Sequence, residues 1–131
     1  MKVLALDYGA RRTGVAVSDP TGTLARPLCV VEDAAARGGL NRLVELIKSE
    51  QPEQIVVGLP LTMRGERGEQ ARATEAFVEL LREAVSVPVE TFDERFTTDL
   101  AQRTPSATPE DARAAAHLLS SYLEWSSAAG A

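Results

Sequence analysis

Lys2-Val3-Leu4-Ala5-Leu6-Asp7-Tyr8-Gly9-Ala10-Arg11-Arg12-Thr13-Gly14-Val15-Ala16-Val17-Ser18 is the stretch whose reading decides the fold. Val3 to Leu6 form an almost unbroken apolar run, the pattern of a strand covered on both faces. The run stops at a carboxylate, Asp7. Residues 8–14 supply a turn, with Gly9 and Gly14 placed where positive φ is expected. Residues 14–18 then return as a second, antiparallel strand. Asp19-Pro20-Thr21-Gly22 is another turn, and residues 24–31 read as a third strand. Pro27 has no N–H to give a central ladder, so this third strand belongs at an edge.

Beyond this meander the pattern alternates. Leu40, Leu43, Val44 and Ile47 fall on one stripe of an amphipathic helix. Residues 55–59 form a buried strand ending at Gly58-Leu59 and closed by Pro60. Ala73, Ala76, Phe77, Leu80, Leu81 and Ala84 mark a second helix. Residues 87–92 form a fifth strand, short and proline-bearing and so again near an edge. A last helix opens at Thr108-Pro109-Glu110-Asp111, with a capping threonine and proline at the first helical position, and turns Ala112, Ala115, Leu119, Tyr122 and Leu123 inward. The expected fold is α/β, a five-stranded mixed sheet in the order β-β-β-α-β-α-β-α flanked by helices. Residues 1–125 are expected to form a single domain and residues 126–131 a frayed tail.

Composition narrows the function. The chain has 131 residues, 44% apolar and 25% charged, the balance of one globular domain. No stretch approaches the ~18 apolar residues of a membrane span. Lys2 and Asp7 come too early for a secretory leader, so a cytoplasmic protein without membrane partners is expected. A single cysteine, Cys29, excludes an internal disulfide and a cysteine-rich zinc site. The net charge is -5, with +1 in residues 1–65 and -6 in residues 66–131. A protein that coats nucleic acid without sequence preference is ordinarily basic. Contact with nucleic acid must therefore rest on local arginines or on bridging cations.

Three acidic positions stand out. Asp7 closes a buried strand at the edge where open α/β sheets bind ligands; the alternative is a strand-ending acid that accepts turn amides. Asp93-Glu94-Arg95 follows the fifth strand, so an acid there can approach Asp7; the alternative is a solvated turn with a local ion pair. Two neighbouring carboxylates repel unless a cation lies between them, and oxygen-only ligands suit Mg²⁺ or Mn²⁺. Asp111 is either half of a capping box with Thr108 or a third acid, brought near the sheet by the small residues Ala112, Ala114, Ala115 and Ala116. Arg11, Arg12, Arg64 and Arg67 lie in glycine-bearing turns that can hold phosphate, though without a Walker loop's lysine and spacing. His117, Cys29 and Trp125 read as packing residues.

These residues carry a resemblance. Asp7-Tyr8-Gly9-x-x-Arg12-x-Gly14-Val15-Ala16, Val56-Val57-Gly58-Leu59-Pro60-Leu61, Asp93-Glu94-Arg95-Phe96-Thr97-Thr98 and Asp111-x-x-Ala114-Ala115 occur in order, and together they resemble the YqgF family, also called RuvX, a branch of the RNase H-like nucleases related to RuvC. The resemblance implies an RNase H-like fold and a Mg²⁺- or Mn²⁺-dependent phosphodiester hydrolase that processes the 5′ end of precursor 16S rRNA. It implies Asp7, Glu94 and Asp111 as catalytic and metal-binding acids, and Arg12, Arg64, Arg67 and Arg95 as phosphate contacts. Gly9, Gly14 and Gly58 become structural turn residues. Resolution of Holliday junctions is the first alternative function. An inert nucleic-acid- or protein-binding module, favoured by the acidic charge, is the second. The expected partner is pre-rRNA or branched DNA, and the expected state a monomer or weak homodimer. Only residues 96–110, with one basic side chain, Arg103, separate Arg95 from Asp111. That stretch is shorter and less basic than in the family. Arg64 stands where an acid is frequent.

Overall fold

A computed structural model describes residues 1–96 and 110–130 of the chain. Strands β1 (Val3–Asp7), β2 (Arg12–Ser18) and β3 (Ala25–Glu32) are followed by α1 (Arg37–Glu50), β4 (Gln54–Leu59), α2 (Glu69–Ala84), β5 (Val89–Asp93) and α3 (Glu110–Gly130). A single 3-10 turn, Glu94–Phe96, caps β5. The strands form one sheet in the order β3-β2-β1-β4-β5. β1 is antiparallel to β2 and β2 to β3, whereas β4 runs parallel to both β1 and β5. The sheet is mixed, with the two proline-associated strands at its edges as expected. Pro27 lies on β3 next to an irregularity in the β2–β3 register, and Pro88 immediately precedes β5.

Alternation along the strands assigns the faces. Leu4 and Leu6 of β1 and Ile55 and Val57 of β4 pack with Leu43 and Ile47 of α1 and Phe77, Val78 and Leu81 of α2. Val3, Ala5, Val56 and Phe92 pack on the other side with Ala115, Leu118, Leu119 and Tyr122 of α3. Both faces of the central strands are thus covered, which is why their sequences are continuous apolar runs. The same alternation carries Asp7 and Gly58 onto the α3 face, two residues beyond Ala5 and Val56, and the 3-10 turn after β5 brings Glu94 to them.

Several expectations need correction. The buried stripe of α2 is Ala71, Thr74, Phe77, Val78 and Leu81, whereas Ala73, Ala76, Leu80 and Ala84 are exposed. Alanines bury too little area to orient a helix, and Thr74 enters the packed face because its hydroxyl donates to the Gln70 carbonyl at 2.8 Å. Residues 126–130 continue α3 to Gly130, and Ser126 to Ala129 include no helix breaker. Gly9 and Gly14 are not at positive φ; among the described glycines only Gly22 and Gly65 are. Gly14 and Gly58 lie within β2 and β4, not in turns. Thr108, Pro109 and Arg103 lie outside the described residues. No helix among the described residues is long and apolar enough to cross a membrane.

Gly14 holds α3 close to the sheet. A Cβ there would sit 1.9 Å from the backbone oxygen of Asp111, so the helix start lies directly on β2. Gly14→Ala is expected to cost about 1–3 kcal/mol in urea unfolding, as overpacking does. Gly38→Ala, in α1 with only the end of Arg42 at 3.6 Å, is expected to gain about 0.5–1 kcal/mol.

Candidate active site

Asp7 ends β1 in the centre of the sheet, and Gly14 pairs with it from β2. On its other side, Leu6 pairs with Val57 of β4, and Gly58 is the next residue. Asp7 is therefore flanked by two glycines on the α3 face. Each makes room for a different neighbour. A Cβ on Gly58 would lie 2.6 Å from Oε1 and 2.9 Å from Cγ of Glu94. Gly58 thus lets Glu94, two strands away from β1, reach across β4.

The two carboxyls meet there in a hydrogen bond that draws Asp7 down and pushes Glu94 up, so that Glu94 is the acid that keeps its proton. Burial pushes the Asp7 carboxyl up from its ordinary value; the hydrogen bond from Glu94 draws it back, and the nearby Asp111 charge raises it again. Burial is also the largest influence on Glu94, followed by the charge of Asp7, their hydrogen bond and the charge of Asp93, and together they push it up to about 7. Near neutrality the pair therefore carries less charge than two free carboxylates.

Asp111 faces this pair from the first turn of α3 and is engaged by Arg12, whose Nε lies 3.5 Å from Oδ2. Both side chains are substantially exposed, so this ion pair is weak and exchangeable. The structure brings Asp7 and Glu94 into direct contact and sets Asp111 within electrostatic range. Among the described residues, no three His, Cys, Asp or Glu side chains are gathered tightly enough to enclose a metal ion.

The arginines divide. Arg12 guards Asp111. Arg95 forks onto Asp93, with Nη2 2.6 Å and Nε 2.9 Å from Oδ2, and holds the Asp93 carboxyl below its usual range. Arg67 pairs with Glu75 of α2 at 3.1 Å. Arg64 is exposed in the β4–α2 loop.

A family model described as RuvX, Holliday junction resolvase, matches residues 1–125. The chain belongs to the RuvX family. Proteins named "Putative pre-16S rRNA nuclease" are similar to this RuvX chain. The one from Chloroflexus aurantiacus is 45% identical over 101 residues, which cover 77% of this chain and 66% of that relative. The one from Sulfurihydrogenibium is 41% identical over 133 residues, covering 94% of this chain and 90% of that relative. Among solved structures, Thermus thermophilus RuvC in complex with a Holliday junction substrate shares the fold with a TM-score of 0.63 at 19% identity, covering 95% of this chain and 96% of RuvC. The fowlpox virus resolvase, in a complex with Holliday junction DNA, gives 0.59 at 12% identity, covering 95% of this chain and 98% of that one.

Two features of this RuvX site escaped the sequence reading. Asp93 was visible only as part of a motif, yet it fixes the Arg95 guanidinium. Glu90, on the same face as Phe92 and Glu94, accepts a hydrogen bond from Tyr122 of α3. Burial and that bond push the Tyr122 hydroxyl up to about 12. The signal for both was the period-2 register of β5 carried one residue further, to Asp93.

The Glu94 shift has a direct consequence for stability. An acid that binds its proton more tightly when folded stabilises the fold while protonated in both states, and this contribution is lost as pH rises. Unfolding free energy in EDTA is expected to decline from the ordinary glutamate value of 4.5 up through about 7. Urea titrations across that range check this, and Glu94→Gln is expected to flatten the slope.

Proposed function

We propose that this RuvX protein hydrolyses phosphodiester bonds in structured nucleic acid at the Asp7–Glu94 pair, and that it processes the 5′ end of precursor 16S rRNA. The observation that carries the reading is the pair itself: two carboxyls in contact, half-buried at the carboxyl edge of the sheet, beside a third acid. A fold that only binds phosphate gains nothing from acids so placed, because they repel the backbone it must approach. The names of relatives 41–46% identical support the RNA substrate.

The donor set is oxygen-only and suits Mg²⁺ or Mn²⁺. Asp7 and Glu94 would hold the ion, and Asp111 would join them once Arg12 lets it go. A divalent cation there would polarise the scissile phosphate and ease ionisation of the attacking water. The chain's own residues do the rest. Glu94 would release its proton to solvent as the ion binds, leaving two carboxylates. Arg12, exposed and loosely paired, is free to move from Asp111 to a substrate phosphate. Arg64 and Arg67 present positive charge on the β4–α2 loop, giving an acidic protein a local basic contact.

The family description favours a second reading, cleavage of four-way DNA junctions. Labelled precursor 16S 5′-leader RNA and a synthetic four-way junction, each with Mn²⁺, Mg²⁺ or EDTA, distinguish the two. Expected is metal-dependent cutting of the RNA, lost in EDTA and reduced at least ~100-fold in Asp7→Asn, since losing a ligand exceeds the effect of losing a ligand's partner. Paired symmetric nicks in the junction alone would replace the RNA reading. Binding without cutting would leave only the inert module. In the same preparations Mn²⁺ is expected to raise the Tm of wild type more than that of Asp7→Asn.

A further inference from the structure

Residues 61–68, between β4 and α2, form a small closed loop. The Thr62 amide donates to the Glu66 carbonyl at 3.0 Å, the Gly65 amide to the Thr62 carbonyl at 2.8 Å, and the Glu66 amide to the Thr62 hydroxyl at 3.0 Å. Gly65 has φ 80°, a conformation that side chains resist. The tip exposes Arg64 and Met63, the latter 91% accessible. The α2 end of the loop is tied by Arg67 to Glu75.

The other tie is Arg95. Asp93 accepts from Nε, from Nη2 and from the Arg95 backbone amide, the last at 2.9 Å, so the guanidinium is held on one edge in a single orientation. Asp93 is half-buried, and forked arginine–carboxylate pairs are the strong, directional kind. The free edge points at the loop, with Nη1 3.5 Å from the Met63 carbonyl. The flat of the group lies on Gly65, where a Cβ would be 3.3 Å from Nη1 and 3.6 Å from Cζ.

We infer that Arg95 is a positioning residue for the β4–α2 loop and not a phosphate ligand: braced by Asp93, its guanidinium is the wall on which Gly65 rests, and it fixes where Arg64 meets nucleic acid. The part that concerns substrate rests on the proposed nuclease reading; the part that concerns the loop does not. Glu94 and Arg95 are consecutive, so one 3-10 turn sets both the acid of the site and the height of its basic loop.

Limited trypsin digestion reads the loop without any activity. Cleavage after Arg64 and Arg67 is expected to quicken about tenfold in Arg95→Ala and in Gly65→Ala, while cleavage after Lys48 in α1 stays at the wild-type rate. Arg95→Lys, which can pair with Asp93 but cannot fork, is expected to fall between. Loop cleavage unchanged in both Arg95→Ala and Gly65→Ala, or quickened equally at Lys48, would overturn the inference. With cleavable nucleic acid, both variants are expected to raise KM about tenfold and to change kcat less than about threefold. Adding Arg64→Ala to Arg95→Ala is expected to raise KM little further, because the two act as one unit. Fully additive effects, or a loss confined to kcat, would contradict action through the loop. Wild-type protein that cuts no substrate would refute the proposed function while the digestion still decides the clamp.

Discussion

Two missing side chains beside one carboxylate organise this molecule. Gly14 and Gly58 flank Asp7 on neighbouring strands, and each leaves a space that something else fills: the first turn of α3 over β2, and the Glu94 side chain over β4. Because the interior is close-packed, neither space can be taken by a methyl group without displacing backbone or the Glu94 carboxyl. The α3 face of the sheet therefore changes character along its length. It is apolar through Ala5, Val56 and Phe92, then bare at the glycines, then acidic. Strand alternation delivers Asp7 to that last layer, the 3-10 turn after β5 delivers Glu94, and helix packing delivers Asp111.

The electrostatics follow from this crowding. Three acids around a half-buried spot at a sheet edge cannot all be ionised cheaply, and the fold relieves them in two ways: a raised Glu94 hydrogen-bonded to Asp7, and a guanidinium on Asp111. Both are replaceable. A proton held near neutrality and an exposed arginine at 3.5 Å give way to a divalent ion and a phosphate far more readily than a buried ion pair would. A net charge of -5 is compatible with a nucleic-acid substrate on these terms, since the acids would face the proposed cation and the basic groups sit on the adjoining loop.

Much of this was legible in the residues. The two-sided apolar runs of β1 and β4 announced a sheet covered by helices on both faces, and Pro27 and Pro88 placed their strands at the edges. Asp7 was conspicuous because it ends such a run. What escaped notice depends on approach between distant segments. Gly14 and Gly58 read as turn residues because a glycine's sequence context shows flexibility, not which neighbour fills its space. The α2 stripe was misplaced because alanines match almost any helical face, and a threonine satisfied by its own helix can be buried. Arg95 read as a phosphate contact because the resemblance implied it, and the sequence does not show the fork it makes onto Asp93 at the end of β5.

The central claim is that the proton Glu94 keeps beside Asp7 occupies the place of a divalent cation. Proton release on metal binding tests it most directly. Weakly buffered protein at about pH 6 is titrated with MnCl₂ while released acid is counted; ligand carboxylates must shed their protons to bind a metal. The account predicts about one proton per ion bound, declining towards zero above about pH 8 and absent in Glu94→Gln. Metal binding with no proton released at about pH 6, or the same release from Glu94→Gln, would contradict it.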